Sequence, residues 1–195
     1  MNTHGKIARF SKVLFLSMLF FVGKANAQEF NLNNEASQLT VYGTSNLHDW
    51  NVKAEKQSGK IVLEQADKLK ITHLNVVVMA ESLKSGKGGM DKNTYKALNT
   101  DKHKTISFEL KDVKSISQSG NGVYNVNSIG NLSIAGVTKS VSLDFSLELT
   151  SSQVVLKGKK SLKMTDHGVT PPKALLGSIT TGDEITIEFN SVLKK

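Results

Sequence analysis

Residues 130–150 read Gly-Asn-Leu-Ser-Ile-Ala-Gly-Val-Thr-Lys-Ser-Val-Ser-Leu-Asp-Phe-Ser-Leu-Glu-Leu-Thr, and no other stretch limits the fold as tightly. After Gly136, Val141, Leu143, Phe145, Leu147 and Leu149 occupy every second position, with Ser140, Ser142, Asp144, Ser146 and Glu148 between them. Strand side chains alternate between faces, so this segment is a strand with one dry and one wet face. Upstream, Tyr124, Val126, Leu132 and Ile134 share one parity, and residues 135–138, with Gly136 among them, form a tight reversal. The pattern predicts a long hairpin over about residues 122–150. A hairpin cannot bury its dry face alone and needs a second sheet or closure into a barrel.

The rest of the chain repeats the theme. Leu39, Val41 and Gly43 alternate in one strand, Trp50, Val52 and Ala54 in the next, with Thr44-Ser45-Asn46 as the break. A short strand is expected over 60–65. Over 70–80, Leu74, Val76, Val78 and Ala80 alternate with Ile71, His73, Asn75, Val77 and Met79, so both faces are expected to be covered. The second face is expected to meet the helix that follows, a second subunit or another protein partner. Ser85-Gly86-Lys87-Gly88-Gly89 breaks the pattern, Asp91 stands as the expected N-cap, and 93–99 is the one expected helix, about two turns long. Strands resume over 104–110 with Ile106, Phe108 and Leu110. They continue over 153–164, where Gly158 and Lys160 interrupt the apolar row and predict a bend or a polar rim. Pro171-Pro172 cannot pair in a ladder, so 166–180 is expected to be a loop. Ile185, Ile187 and Phe189 alternate in a last strand. The fold class is therefore all-β: eight or nine antiparallel strands and one short helix, which alternation alone fits to either a barrel or a two-sheet sandwich.

The first 27 residues carry a different signal. Lys6, Arg9 and Lys12 precede ten apolar-rich residues, 13–22, and Ala25-Asn26-Ala27 fits a cleavage site, the order of a cleavable export signal cut after Ala27. The apolar run is shorter than the roughly 20 residues a membrane span requires. Residues 28–195, the expected single mature domain, then carry 21 basic and 17 acidic side chains, net +4. The lysines are scattered and the only arginine lies in the leader, so nucleic acid is not an expected partner. With no cysteine, an exported chain of this kind is held by its core alone.

Gly-Asn-Leu-Ser-Ile-Ala-Gly-Val-Thr-Lys before an alternating strand resembles the signature of the YceI family of periplasmic, lipocalin-like, polyisoprenoid-binding barrels. The resemblance extends over essentially the whole mature chain. Residues 43–50 (Gly-Thr-Ser-Asn-Leu-His-Asp-Trp) resemble the family's first turn. Residues 79–86 resemble its strand end before the helix, 104–108 the strand after it, and 166–169 with 182–187 its closing segment. It implies an extended antiparallel barrel of about eight strands whose apolar lumen holds a long isoprenoid or isoprenoid-quinone lipid, in the periplasm.

On that resemblance the inward apolar rows become a ligand-binding lumen. They comprise Leu39, Val41, Trp50 and Val52 from the first two strands, Leu74, Val76, Val78 and Phe108 from the middle, Leu132, Ile134, Val141, Leu143, Phe145 and Leu147 from the hairpin, and Ile185, Ile187 and Phe189 from the last strand. Read from the pattern alone, the same residues would serve a packed core, as in a non-catalytic periplasmic protein-interaction module. A polar head group would sit at the mouth, where His48, Lys84, Lys87 and Lys92 are candidates and the helix start favours an anion. No metal or catalytic residue is expected. His48, His73, His103 and His167 have no ligand-type spacing among them, and the chain lacks a Gly-x-Ser-x-Gly elbow and a paired acidic motif at a strand end. Apart from the lipid itself, no cofactor is expected.

Overall fold

The computed structural model describes residues 26–65 and 67–195, so the proposed leader lies almost wholly outside the described residues. Strands β1 (Asn26–Leu32), β2 (Gln38–Ser45), β3 (Trp50–Ala54), β4 (Gln57–Gln65), β5 (Leu69–Met79) and β6 (Leu83–Lys84) precede helix α1 (Gly88–Leu98). Then follow β7 (Thr105–Gly120), β8 (Val123–Ile134), β9 (Val137–Leu149), β10 (Gln153–Lys163), β11 (Lys173–Ala174) and β12 (Ile179–Lys194). All pairings are antiparallel, and they close.

Twelve strands fill eight positions in the wall. β1 and β2 lie end to end along β12, Leu32 opposite Leu193 and Gln38 opposite Asn190. β3 and β4 lie end to end on their other side, followed by β5, β7, β8, β9 and β10, which returns to β12. The joint between β1 and β2 is stitched by polar groups. The Ser37 hydroxyl accepts from the Val192 amide at 2.9 Å, and the Asn34 side chain accepts from the Gln57 amide at 2.7 Å and donates to the Glu55 carbonyl at 2.9 Å. The result is a closed eight-stranded antiparallel barrel with, among the described residues, one α-helix, which removes the sandwich.

The hairpin of β8 and β9 runs in register from Val123 opposite Glu148 to Ile134 opposite Val137. Ala135 (φ 48°) and Gly136 (φ 81°) are both left-handed, the turn whose twist matches the flanking strands. Gly136 is further constrained because a Cβ there would lie 2.4 Å from the His103 ring.

Three expectations change and one is narrowed. β1, unassigned from sequence, is a wall strand whose Phe30 is fully buried. On β5, Val62 pairs with His73 but Leu63 with Ile71, so Thr72 is an extra residue that reverses the parity. Ile71 therefore turns into the core rather than joining His73, Asn75 and Val77 on the second face, and Met79 is 44 % exposed. The helix starts at Gly88, three residues before Asp91, with Lys87 at the N-cap position. Asp91 instead holds the incoming turn by accepting from the Ser85 amide (2.8 Å) and hydroxyl (2.6 Å), and this tether overrides the weak helix propensity of Gly88 and Gly89. Finally, the interruption at Gly158 and Lys160 leaves the β10–β12 pairing unbroken from Gln153 to Lys163; it marks the end of the β9–β10 ladder, with Lys160 as a polar position on the cavity.

Candidate functional site

The barrel interior divides into two halves. At one end Phe30, Ile61, Leu63, Leu147, Val154 and Leu193 pack as a closed plug. At the end nearer α1 the side chains leave a cavity of about 910 Å³. That lies near the top of the roughly 300–1,000 Å³ usual for small-molecule sites. Its presence removes the fully packed barrel that the residue pattern left open.

The walls are apolar and come from nearly every wall position. Leu39, Val41, Trp50 and Val52 line it from β2 and β3, Leu74, Val76 and Val78 from β5, and Ile106 and Phe108 from β7. Leu132 and Ile134 of β8, Val141, Leu143 and Phe145 of β9, and Ile185, Ile187 and Phe189 of β12 complete the ring. Trp50 is fixed by donating its indole N–H to the Thr44 carbonyl at 2.9 Å. Its ring lies over Gly43, where a Cβ would come within 2.1 Å. Only a glycine opposite Trp50 in the β2–β3 register lets the indole lie flat on the wall.

Two expected site residues lie elsewhere. Leu147 does not reach the cavity; it is fully buried in the plug, because the inward row of β9 continues past the cavity floor at Phe145. Lys84 is held away from the cavity by Tyr95, whose hydroxyl it meets at 2.6 Å and whose ring it overlies at 5.1 Å. That hydrogen bond also holds its ammonium above the ordinary lysine value. His48, Lys87 and Lys92 do border the cavity at its mouth, and His48 Nδ1 donates to the Asp49 carbonyl at 2.8 Å.

Sequence reasoning missed a helical contribution. Met90, Thr94, Ala97 and Leu98 line the cavity at the spacing of one helix face, a period visible only once the helix is extended back to Gly88. It also missed Leu162 and Met164, which continue the inward row of β10, and His167, 1 % exposed, whose Nδ1 donates to the Val137 carbonyl at 3.1 Å. The 172–177 segment forms the remaining lip. Pro172 and Lys173 line it, and Leu175 and Leu176 stand exposed there in left-handed conformations.

Two aspartates pin the rim. Hydrogen bonds from Ser85 hold the Asp91 carboxyl below its usual value, and the hydroxyl and amide of Thr165 do the same for Asp183, at 2.6 and 2.9 Å. Among the described residues, the charged groups lining the cavity are four lysines, Lys87, Lys92, Lys160 and Lys173, with no aspartate or glutamate. Among the described residues no three histidines or carboxylates come together as a metal cluster, and no helix is long and apolar enough to cross a membrane.

The YceI-like domain model matches residues 30–193. No curated protein matches the chain. Among solved structures, BcnA of Burkholderia cenocepacia superposes with a TM-score of 0.66 at 16 % identity, over 83 % of this chain and 98 % of BcnA. A polyisoprenoid binding domain from Saccharophagus degradans, implicated in plant cell wall breakdown, gives 0.64 at 12 % identity, over 85 % and 97 %. The Campylobacter jejuni YceI protein gives 0.51 at 14 %, over 100 % and 94 %. At these identities the likeness is one of fold.

Proposed function

The chain belongs to the YceI-like domain family, and from that premise we propose that it is a non-catalytic periplasmic carrier holding the tail of a long isoprenoid or isoprenoid-quinone lipid in the barrel. The observation that carries the reading is the cavity of about 910 Å³ walled by aliphatic and aromatic side chains. The polyisoprenoid-binding relative of the same fold supports the choice of lipid, and the leader pattern supports export.

The mechanism is passive. Water leaves an apolar lumen and the tail replaces it. Each buried carbon group contributes about 0.8 kcal/mol, so a five-carbon unit contributes at most about 4 kcal/mol. Association and ordering cost roughly 4–15 kcal/mol, which cancels the first few units. Long chains are retained and short ones are not. Lys87, Lys92 and His48 border the mouth, through which the lipid would enter.

The decisive experiment is mass spectrometry of an organic extract of protein purified without detergent from its own host's periplasm. The expected result is a stoichiometric polyprenyl species. An empty extract, from protein that also refuses added long-chain isoprenoids, would overturn the reading.

A further inference from the structure

Resting on that carrier reading, we propose that the ligand bears an anionic oxygen head group, a phosphate or carboxylate, seated in a slit through the barrel wall between β9 and β10 and held by Lys160. The slit follows from the register. The β9–β10 ladder runs from Leu149 opposite Val154 to Phe145 opposite Gly158 and ends there. β9 nevertheless continues back to Val137, paired only with β8, while β10 continues to Lys163, paired only with β12. Beyond the end of β10, the turn that follows it is tied back to β9 where His167 donates to the Val137 carbonyl. Between these two closures the lips of the wall are not joined by ladder hydrogen bonds.

Lys160 occupies this slit and nothing else in the register accounts for it. Its parity is that of Leu156, Leu162 and Met164, which face the lumen, and it lines the cavity. Its ammonium, however, lies 3.4 Å from the Ser142 hydroxyl. Ser142 belongs to the outward row of β9 and is exposed. The side chain therefore runs from the lumen phase through the wall to its outer lip.

The neighbouring lysines of β10 have carboxylates opposite them, Lys159 facing Glu188 and Lys163 facing Glu184 across the β12 register; Lys160 faces Ile187. Asp144, on the same β9 lip, accepts from the Asn127 side chain and makes no ion pair with Lys160. Among the described residues Lys160 makes no ion pair. A cation beside an apolar chamber, with a hydroxyl but no carboxylate for company, matches a head group that supplies the missing negative charge. The alternative is a lysine that merely snorkels through the gap to water, which would contribute nothing to ligand choice.

The test measures affinity of the full mature protein for a long-chain isoprenyl phosphate and for the matching isoprenyl alcohol, at low salt, for the wild type, Lys160→Met and the double variant Lys87→Gln/Lys92→Gln. Thermal unfolding would confirm that each variant is folded. One charge-assisted hydrogen bond predicts that the wild type prefers the phosphate by about tenfold. Lys160→Met should lose most of that preference and bind the alcohol within about twofold of wild type, while the double mouth variant keeps it. Equal wild-type affinity for both lipids would overturn the head-group assignment and leave the carrier reading intact. A preference that vanishes in the mouth variant but survives Lys160→Met would place the head group at the mouth and overturn the slit. Failure to bind either lipid would sink the carrier reading and this proposal with it.

Discussion

Two leucines on neighbouring strands of the hairpin separate a packed half from a hollow half. Leu147 is fully buried in the plug, whereas Leu132, 8 % exposed, borders the cavity. Truncating a leucine in a packed interior costs the transfer of its lost carbons plus a term for the new void, about 24 cal/mol per Å³, or about 4 kcal/mol in all. At Leu132 most of the space on one side is already empty in the lipid-free protein, so fewer contacts are lost and the cost falls to about 2 kcal/mol. For a domain of this size 1 kcal/mol is about 2–4 °C of Tm. Leu147→Ala should then lower the Tm of lipid-free protein by about 8–16 °C and Leu132→Ala by about half as much. Calorimetry on delipidated protein reads both. Lipid should raise the cost of Leu132→Ala, because the tail then occupies the space, and leave that of Leu147→Ala unchanged. Equal costs in the lipid-free state would mean that both halves are packed, and the cavity argument would fail.

Further outcomes follow from the same geometry. Val76→Glu places a charge in the middle of the apolar wall and should abolish lipid uptake in a protein that remains folded; wild-type uptake would remove Val76 from the lumen. Gly43→Ala drives a Cβ into the Trp50 ring, so tryptophan emission, which reports this residue alone, should shift to the red with a stability loss of about 1–3 kcal/mol; an unchanged spectrum would contradict the close stacking. Asp91 and Asp183 both titrate below the usual 3.8, so their contribution is complete above that value and lost as pH falls through their lower folded values. The protection of amides at residues 85–91 and 165–183, measured against their intrinsic exchange rates, should therefore fall only below about pH 4. An Asp91→Asn/Asp183→Asn protein whose protection still falls over that window would show that other groups control the rim.

Most of the wall was legible because the driving pattern is local. Alternation from Val141 to Leu149 needs no tertiary information to state which side chains share a face. What escaped depended on partners. The extra residue at Thr72 is invisible in the sequence of β5, since only its pairing with Val62 and Leu63 on β4 shows the reversal that buries Ile71. β1 carries too few apolar residues to announce itself and is a strand because β4 and β12 offer it edges. Alternation also cannot say where an inward row stops lining space and starts filling it, which is why Leu147 reads like Phe145. The helix start was misplaced because Gly88 and Gly89 argue against helix locally, while the Ser85–Asp91 bonds that favour it span the turn.

The same division of the interior explains how a chain without disulfides keeps an empty apolar chamber. A cavity of this kind is a loss of packing contacts that the rest of the core must offset. The offset comes from the opposite end, where Phe30, Ile61, Leu63 and Leu193 close the barrel and β1 joins β4 to β12. With the ladder complete there, the wall can come apart elsewhere, between β9 and β10 above Phe145 and Gly158. Gly158 sits at the branch point because a Cβ there would collide with Phe189 at 2.7 Å and the Asp144 carbonyl at 2.9 Å, so the last β9–β10 pair has no room for a side chain at this position. The strand that lines the slit is thus anchored where the two cores meet, and a lipid that fills the chamber would stabilise only the half the plug does not reach. Ligand binding should accordingly protect amides of β3, α1 and the β9–β10 lips from exchange far more than those of β1 and β4, and uniform protection would contradict a barrel of two unequal halves.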